Sequence, residues 1–220
     1  PLWDIIKSVC GMRAPRHPPL PPPQSLNLFF ASVVCDPSAT HNVPYGPSHE
    51  RHFSVFREVS AEYVESLLAT LDPGKAPGAD EVLPGLLRCS ADILAPTVSR
   101  LFNQSLASGV VPESFKEANI TPIIKSSKLD ATIPSSYRGI SLLPILSKVL
   151  ESIVHEQLTD FFDSECVLSD FQFGFRRGRS TEDLLAKATS DWSIARDQHS
   201  TSVIAFIDLS KAFDRVNHQA

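Results

Sequence analysis

Cysteine is scarce and scattered. Cys10, Cys35, Cys89 and Cys166 are the only four, and no two of them form a C-x-x-C pair. That spacing offers no zinc signature and no dense disulfide framework, and it suits a reducing compartment. Long apolar runs are lacking too. No stretch approaches the ~20 residues that span a bilayer, so no membrane partner is expected. A signal-peptide pattern is missing, and so is any internal repeat. Positive charge is not in excess: 20 Lys and Arg against 25 Asp and Glu leave a net charge of −5. The balance argues against a uniformly basic nucleic-acid binder but leaves local patches open. The chain starts on proline, not methionine, and reads as a piece of something longer.

Proline is what the first fifty residues have in plenty, with ten of the eighteen in the chain. "APRHPPLPPPQ" (14–24) favours polyproline II and resists packing, so residues 1–50 read as a proline-rich connector. Arg16-x-x-Pro19-x-x-Pro22 fits an SH3-type groove, but such short patterns recur by chance and a stiff linker is the better reading. "SLNLFFASVV" (25–34) suits a short apolar helix docking on the domain that follows.

From Ser60 the text becomes regular. Ser60 is placed to cap a helix carrying Val64, Leu67, Leu68 and Leu71. "DPGKAPGAD" (72–80) breaks it with two prolines and two glycines. Leu94, Val98, Leu101, Phe102 and Leu106 mark a second helix, closed by Gly109. "ANITPIIK" (118–125) and "YRGISLL" (137–143) read as two strands of a hairpin with a long, mobile tip. Val149, Leu150, Ile153, Val154, Leu158, Phe161 and Phe162 form the clearest amphipathic helix. Ser180-x-x-Asp183 is a capping box that opens another, with Leu184, Leu185, Ala188 and Trp192 on one face. "SVIAFID" (202–208) is apolar on both faces, as a central buried strand would be. The expected class is α+β or α/β.

Three features could carry chemistry. Asp208 ends the apolar run, and a carboxylate delivered there wants compensation from a divalent metal or a ligand. A helix N-cap is an equally good account of it on spacing alone. The haloacid-dehalogenase phosphatases are disfavoured because Ser210 stands where they need a second aspartate. Lys125 and Arg138 lie at the ends of the hairpin segment and would suit a triphosphate, or they are merely two exposed charges. "FQFGFRRGRST" (171–181) mixes Arg176, Arg177 and Arg179 with aromatics and glycines just before a capped helix, a setting for phosphates and bases as well as for a solvated turn.

Five blocks, "GKAPGAD", "LFNQSLASGVVPESFKEANITPIIK", "SYRGISLLPILSKVLESIVHEQL", "FQFGFRRGRST" and "FIDLSKAFDRVNH", follow one another in this order. Together, from about Leu26 to Ala220, they resemble the reverse transcriptases of non-LTR (LINE-type) retrotransposons. The resemblance implies a partial polymerase right hand: an α+β fold in which residues 51–220 supply the fingers and the first palm strand. It also implies an RNA template, a DNA primer, dNTP substrates and Mg²⁺, with Mn²⁺ as the alternative. A cytoplasmic and nuclear location is what a retrotransposon protein would have. Asp208 would be the first metal-binding aspartate, and the Leu209 carbonyl would face the second metal. The backbone of Lys211 and Ala212 would meet the triphosphate, Phe213 would exclude a ribose 2′-hydroxyl, and Lys125 and Arg138 would hold the phosphates. Gln172, Arg176, Arg177 and Arg179 would lie along the template. Asp214 belongs to the local pattern but is assigned to capping or packing.

Two small departures and one large one accompany the resemblance. Gly139 stands where the family usually has proline. Glu81 stands where a glycine usually follows the aspartate of "APG-x-D". The family's second catalytic block, a tyrosine followed after one residue by paired aspartates, is absent, and no "DD" occurs in the chain. The chain alone is therefore expected to be inactive. The alternative is a non-enzymatic nucleic-acid-binding remnant of a decayed element.

Overall fold

Ser60 decides where the first well-buried helix begins. Its backbone is extended, and its hydroxyl accepts the Tyr63 amide proton at 3.1 Å, supplying one of the partners a helix start lacks. In a computed structural model that describes residues 20–32, 53–209 and 212, the chain forms seven α-helices, one 3₁₀ turn and one hairpin among those residues. In chain order these are α1 (Pro23–Ala31), α2 (Ala61–Ala69), α3 (Pro84–Cys89), α4 (Ala91–Ser108), α5 (Glu113–Lys116), β1 (Asn119–Ile124), the 3₁₀ turn Pro134–Ser136, β2 (Tyr137–Leu142), α6 (Ile145–Ser164) and α7 (Thr181–Asp197). The mixture is α+β, as expected. No helix among the described residues is long and apolar enough to cross a membrane.

One core joins α2, α3, α4, α5 and α6. Val64, Leu68 and Phe102 are fully buried, and Val98, Val149 and Ile153 complete the contact. These residues recur at three- and four-residue spacing, so each helix brings one apolar stripe to the centre. Gly109 ends α4 with φ 68°, the left-handed conformation that glycine adopts without penalty.

Two buried or half-buried amides fasten the extended segment before α2. The Asn103 side chain on α4 accepts from the Val59 N–H at 2.8 Å and donates to the Val59 carbonyl at 2.9 Å. The Gln157 side chain on α6 does the same for Arg57, at 2.7 and 3.0 Å. Each amide satisfies a backbone donor and acceptor together, as a neighbouring strand would. Tyr63 adds a tie from α2 to α6 by donating its hydroxyl proton to Glu156. That bond, with some burial, pushes the Tyr63 phenol up to about 12.

The hairpin is antiparallel, with Ile123 opposite Arg138 and Ile124 opposite Tyr137. The Lys125 amide donates to the Ser136 carbonyl at 2.9 Å. By alternation, Pro122 and Gly139 fall in a pair that exchanges no ladder bonds, so the missing proline N–H leaves the ladder intact. The long hairpin tip is folded back on itself. The Tyr137 hydroxyl donates to the Ala131 carbonyl at 2.8 Å. Asp130 accepts from both the amide and the hydroxyl of Thr132, which holds its carboxyl below the usual range. Polar local partners, rather than length, decide the order of this loop.

Helix α1 docks on the hairpin as expected. Leu26 is buried with Ala131 and Tyr137, while Phe30 and Ile124 pack alongside. Pro22 has polyproline-like backbone (φ −52°, ψ 139°), and the helix begins at Pro23. The SH3-type motif and most of the proline-rich connector lie outside the described residues.

One expectation is overturned. Residues 201–209 form no strand: the segment is without regular structure, and Val203, Phe206 and Ile207 are each about nine-tenths exposed. A strand needs a backbone partner, and the only described sheet is the two-stranded hairpin.

Candidate polymerase site residues

Lys125 and Arg138 share one face of the hairpin. Lys125 lies opposite Ser136 and Arg138 opposite Ile123, so strand alternation points both side chains the same way. The other face is covered by α1, leaving these two on the exposed side. The Lys125 ammonium donates to the Ser135 carbonyl at 2.8 Å, which directs its stem along the tip. The Arg138 side chain makes no hydrogen bond or ion pair with a described residue. Two cations on one open face have the chemistry to suit an anion, the guanidinium offering a planar fork and the ammonium a point charge.

The "DPGKAPGAD" loop is locked to the root of this hairpin. A Cβ added to Gly78 would stand 2.4 Å from the backbone of Leu143 and Pro144, closer than any side chain can approach. The glycine therefore serves close backbone packing between the loop and the junction of β2 with α6, a role beyond breaking a helix. Glu81, three residues on, sits at φ 56°. The family's usual glycine would adopt that conformation freely, whereas glutamate bears strain of about 1–2 kcal/mol there. At Gly139 an added Cβ would meet Ile120 at 3.0 Å and Phe30 at 3.3 Å. Here glycine accommodates the aromatic ring of α1.

The arginine block divides by engagement. Arg176 is largely covered, donating to the Ser169 carbonyl at 3.0 Å and standing 3.9 Å from Asp163 at the end of α6. Arg179 lies over the buried Phe173 ring at 5.3 Å and pairs with Asp170 at 3.5 Å. Arg177 is exposed, with no hydrogen bond or ion pair to a described residue. Gln172 turns its amide toward the Gly174 carbonyl at 3.4 Å. Arg176 and Arg179 thus also act as internal braces, a use that a run of arginines in the sequence does not disclose. Ser180 and Asp183 form the expected capping box at α7. Phe175 stands out at φ 57° and 96% exposure. A non-glycine residue held there stores about 1–3 kcal/mol of strain.

Asp208 and Leu209 lie exposed on the unpaired segment, and Ala212 is exposed beyond it. Lys211, Phe213 and Asp214 are outside the described residues. The Asp208 carboxylate and the Leu209 carbonyl are hard oxygen donors of the type Mg²⁺ or Mn²⁺ takes. No group of three acidic, histidine or cysteine ligands gathers among the described residues. The described donors therefore fit part of a coordination shell, not a whole one.

Comparison with known proteins agrees with the block order. The family described as "Reverse transcriptase (RNA-dependent DNA polymerase)" matches residues 123–220. The RNA-directed DNA polymerase from mobile element jockey of Drosophila melanogaster is 34% identical over 160 residues, covering 73% of this chain and 17% of that protein. The probable RNA-directed DNA polymerase from transposon BS of the same species is 33% identical over 162 residues, covering 74% of this chain and 18% of that protein. The putative 115 kDa protein in the type-1 retrotransposable element R1DM is 30% identical over 157 residues, covering 71% and 15%. The chain spans less than a fifth of the length of these relatives. The chain belongs to the RNA-directed DNA polymerase (reverse transcriptase) family of non-LTR retrotransposons.

Proposed function

We propose that residues 51–220 are the fingers and first palm segment of a polymerase right hand that copies an RNA template into DNA. In the reaction a primer 3′-hydroxyl oxygen bonds to the α-phosphorus of a dNTP while the bond to pyrophosphate breaks. The observation that most supports the reading is the pairing of Lys125 and Arg138 on the open face of the hairpin. These two would bind the triphosphate and hold it in line, with the backbone of Lys211 and Ala212 contacting its phosphates. Phe213 would crowd a 2′-hydroxyl. Gln172, Arg177 and, in part, Arg176 and Arg179 would contact the template strand. Asp208 and the Leu209 carbonyl would supply oxygen ligands to Mg²⁺, or Mn²⁺ in its place. The ion, when bound, neutralises charge on the phosphates. Residues 201–209 must pair with further strands before Asp208 can be held in position, so the 220-residue chain is expected to bind template without extending a primer.

The test is steady-state incorporation by a complete polymerase containing this sequence. Lys125→Ala and Arg138→Ala should each raise KM for dNTP by about tenfold or more, because each removes a charged hydrogen bond to phosphate. Primer–template affinity should hardly change. An unaltered KM in both variants would rule out the triphosphate role.

A further inference from the structure

We propose that Tyr137 is a positioning residue for dNTP binding: its hydroxyl fixes the hairpin tip that aims the Lys125 ammonium. The proposal rests on the triphosphate reading above and adds to it a residue that would touch no nucleotide. The tip, residues 125–136, is a run of tight turns. The Leu129 N–H donates to the Ser126 carbonyl at 3.1 Å, that of Ile133 to Asp130 at 3.3 Å, and that of Ser136 to Ile133 at 3.0 Å. Such short-range bonds shape a loop without fastening one turn to the next. Two side chains reach further. The Tyr137 hydroxyl donates to the Ala131 carbonyl at 2.8 Å, and the Lys125 ammonium donates to the Ser135 carbonyl at 2.8 Å. The first bond is the sheltered one: Tyr137 and Ala131 are 3% and 6% exposed, in one cluster with Leu26 of α1. Away from water such a bond is strong, and its loss strands a buried carbonyl. It closes the loop 131–137, and the Ser135 carbonyl is a member of that loop. The exposed Lys125 bond therefore depends on the buried tyrosine bond for the place of its acceptor. A lysine ammonium has three donors, so the bond to Ser135 directs the stem and leaves others for phosphate oxygens. The Arg138 backbone is held differently, by the strand ladder opposite Ile123. A phenylalanine would fill the same space beside Leu26; the hydroxyl is what reaches the tip.

The experiment has two arms. Limited trypsin digestion of the 220-residue chain reads the tip, where Lys128 lies exposed. Tyr137→Phe keeps the ring and removes only the hydroxyl. It should speed cleavage after Lys128 about five- to tenfold, since cleavage follows the population of the opened tip. Cleavage after Arg100, on α4 of the main core, should keep its wild-type rate, which separates a loosened tip from a lost fold. Steady-state incorporation by a complete polymerase containing this sequence reads the positioning. Tyr137→Phe should raise KM for dNTP about three- to tenfold, with kcat and primer–template affinity unchanged. In a Lys125→Ala background the same substitution should have no further effect on KM, because the tyrosine acts through the lysine. A tyrosine that serves only the fold predicts faster cleavage with an unaltered KM, and that result would overturn the positioning role. So would an unchanged rate of cleavage after Lys128, or a rise in KM that persists in the Lys125→Ala background. Each of these leaves the triphosphate reading intact. An unaltered KM in Lys125→Ala itself would instead remove Lys125 from that reading, and the role of Tyr137 with it.

Discussion

Helices α6 and α7 are similar in length, 20 and 17 residues, and both carry apolar side chains at helical spacing. Helix α6 buries Ile145, Val149, Leu150 and Ile153 against α2 and α4, and α7 buries nothing among the described residues. Leu184, Leu185 and Trp192 of α7 remain between 39% and 56% exposed. Amphipathic spacing records that a helix has a face to bury; it does not record what covers it. The molecule accordingly divides into a packed module, 53–164, and a C-terminal arm, 165–209, whose helix leaves its apolar face exposed among the described residues. The module carries the main core together with Lys125 and Arg138, and the arm carries the arginine block and Asp208.

Asp208→Asn tests that division most strongly. In a complete polymerase the substitution should lower single-turnover dNTP incorporation ~10³-fold or more, since it removes the charge that would hold the metal. Template affinity and the urea midpoint should be unaltered. Near-normal turnover would reduce Asp208 to a helix cap, which asparagine fills as well as aspartate.

Core truncation should divide the two regions almost as sharply. Phe102→Ala in the module is expected to cost about 3–5 kcal/mol, from lost burial plus the cavity left behind. Trp192→Ala in the arm should cost less than about 0.5 kcal/mol in the same urea titration of the 220-residue chain. Comparable losses would show that α7 is packed after all, and the comparison would fail.

Gln157→Leu asks how far the module depends on its polar ties. The substitution strands the Arg57 N–H and carbonyl in a part-buried setting, so a loss of about 1–3 kcal/mol is expected. Hydrogen exchange at Arg57 should quicken before that of α4. A change near zero would mean that water replaces the amide without penalty.

Glu81→Gly should give the smallest effect and the opposite sign. Relief of the left-handed strain outweighs the added freedom of the unfolded chain, for a net gain of about 0.5–1 kcal/mol by chemical denaturation. Loss of stability would show that the glutamate side chain makes up for its backbone.

Much of the fold was legible beforehand, for identifiable reasons. Ser60, Gly109 and the Ser180–Asp183 pair are local signals: each acts within three or four residues of itself, so the chain text contains both partners. The β-branched runs of the hairpin and the apolar spacing of α4 and α6 are likewise local. The same spacing in 202–208 misled, because a strand is completed by hydrogen bonds to a distant segment, and periodicity carries no information on whether that segment is present. Gly78 read as a helix breaker, and its contact with Leu143 and Pro144, 65 residues away, needed coordinates. The arginine block read as one uniform cluster, and only the positions of Ser169, Asp163 and Asp170 separated the braced side chains from Arg177.

The sequence by itself determined the family, the caps, the helical faces and the hairpin, since block order and short-range periodicity are written along one dimension. Tertiary structure alone decided which faces were covered and which cations shared a surface. It also decided that Asn103 and Gln157 would stand in for a neighbouring strand, and that a phenylalanine rather than a glycine would take the left-handed backbone. Each of these depends on atoms brought together by packing across tens of residues, where the energy of a contact is set by distance in space and not by separation along the chain.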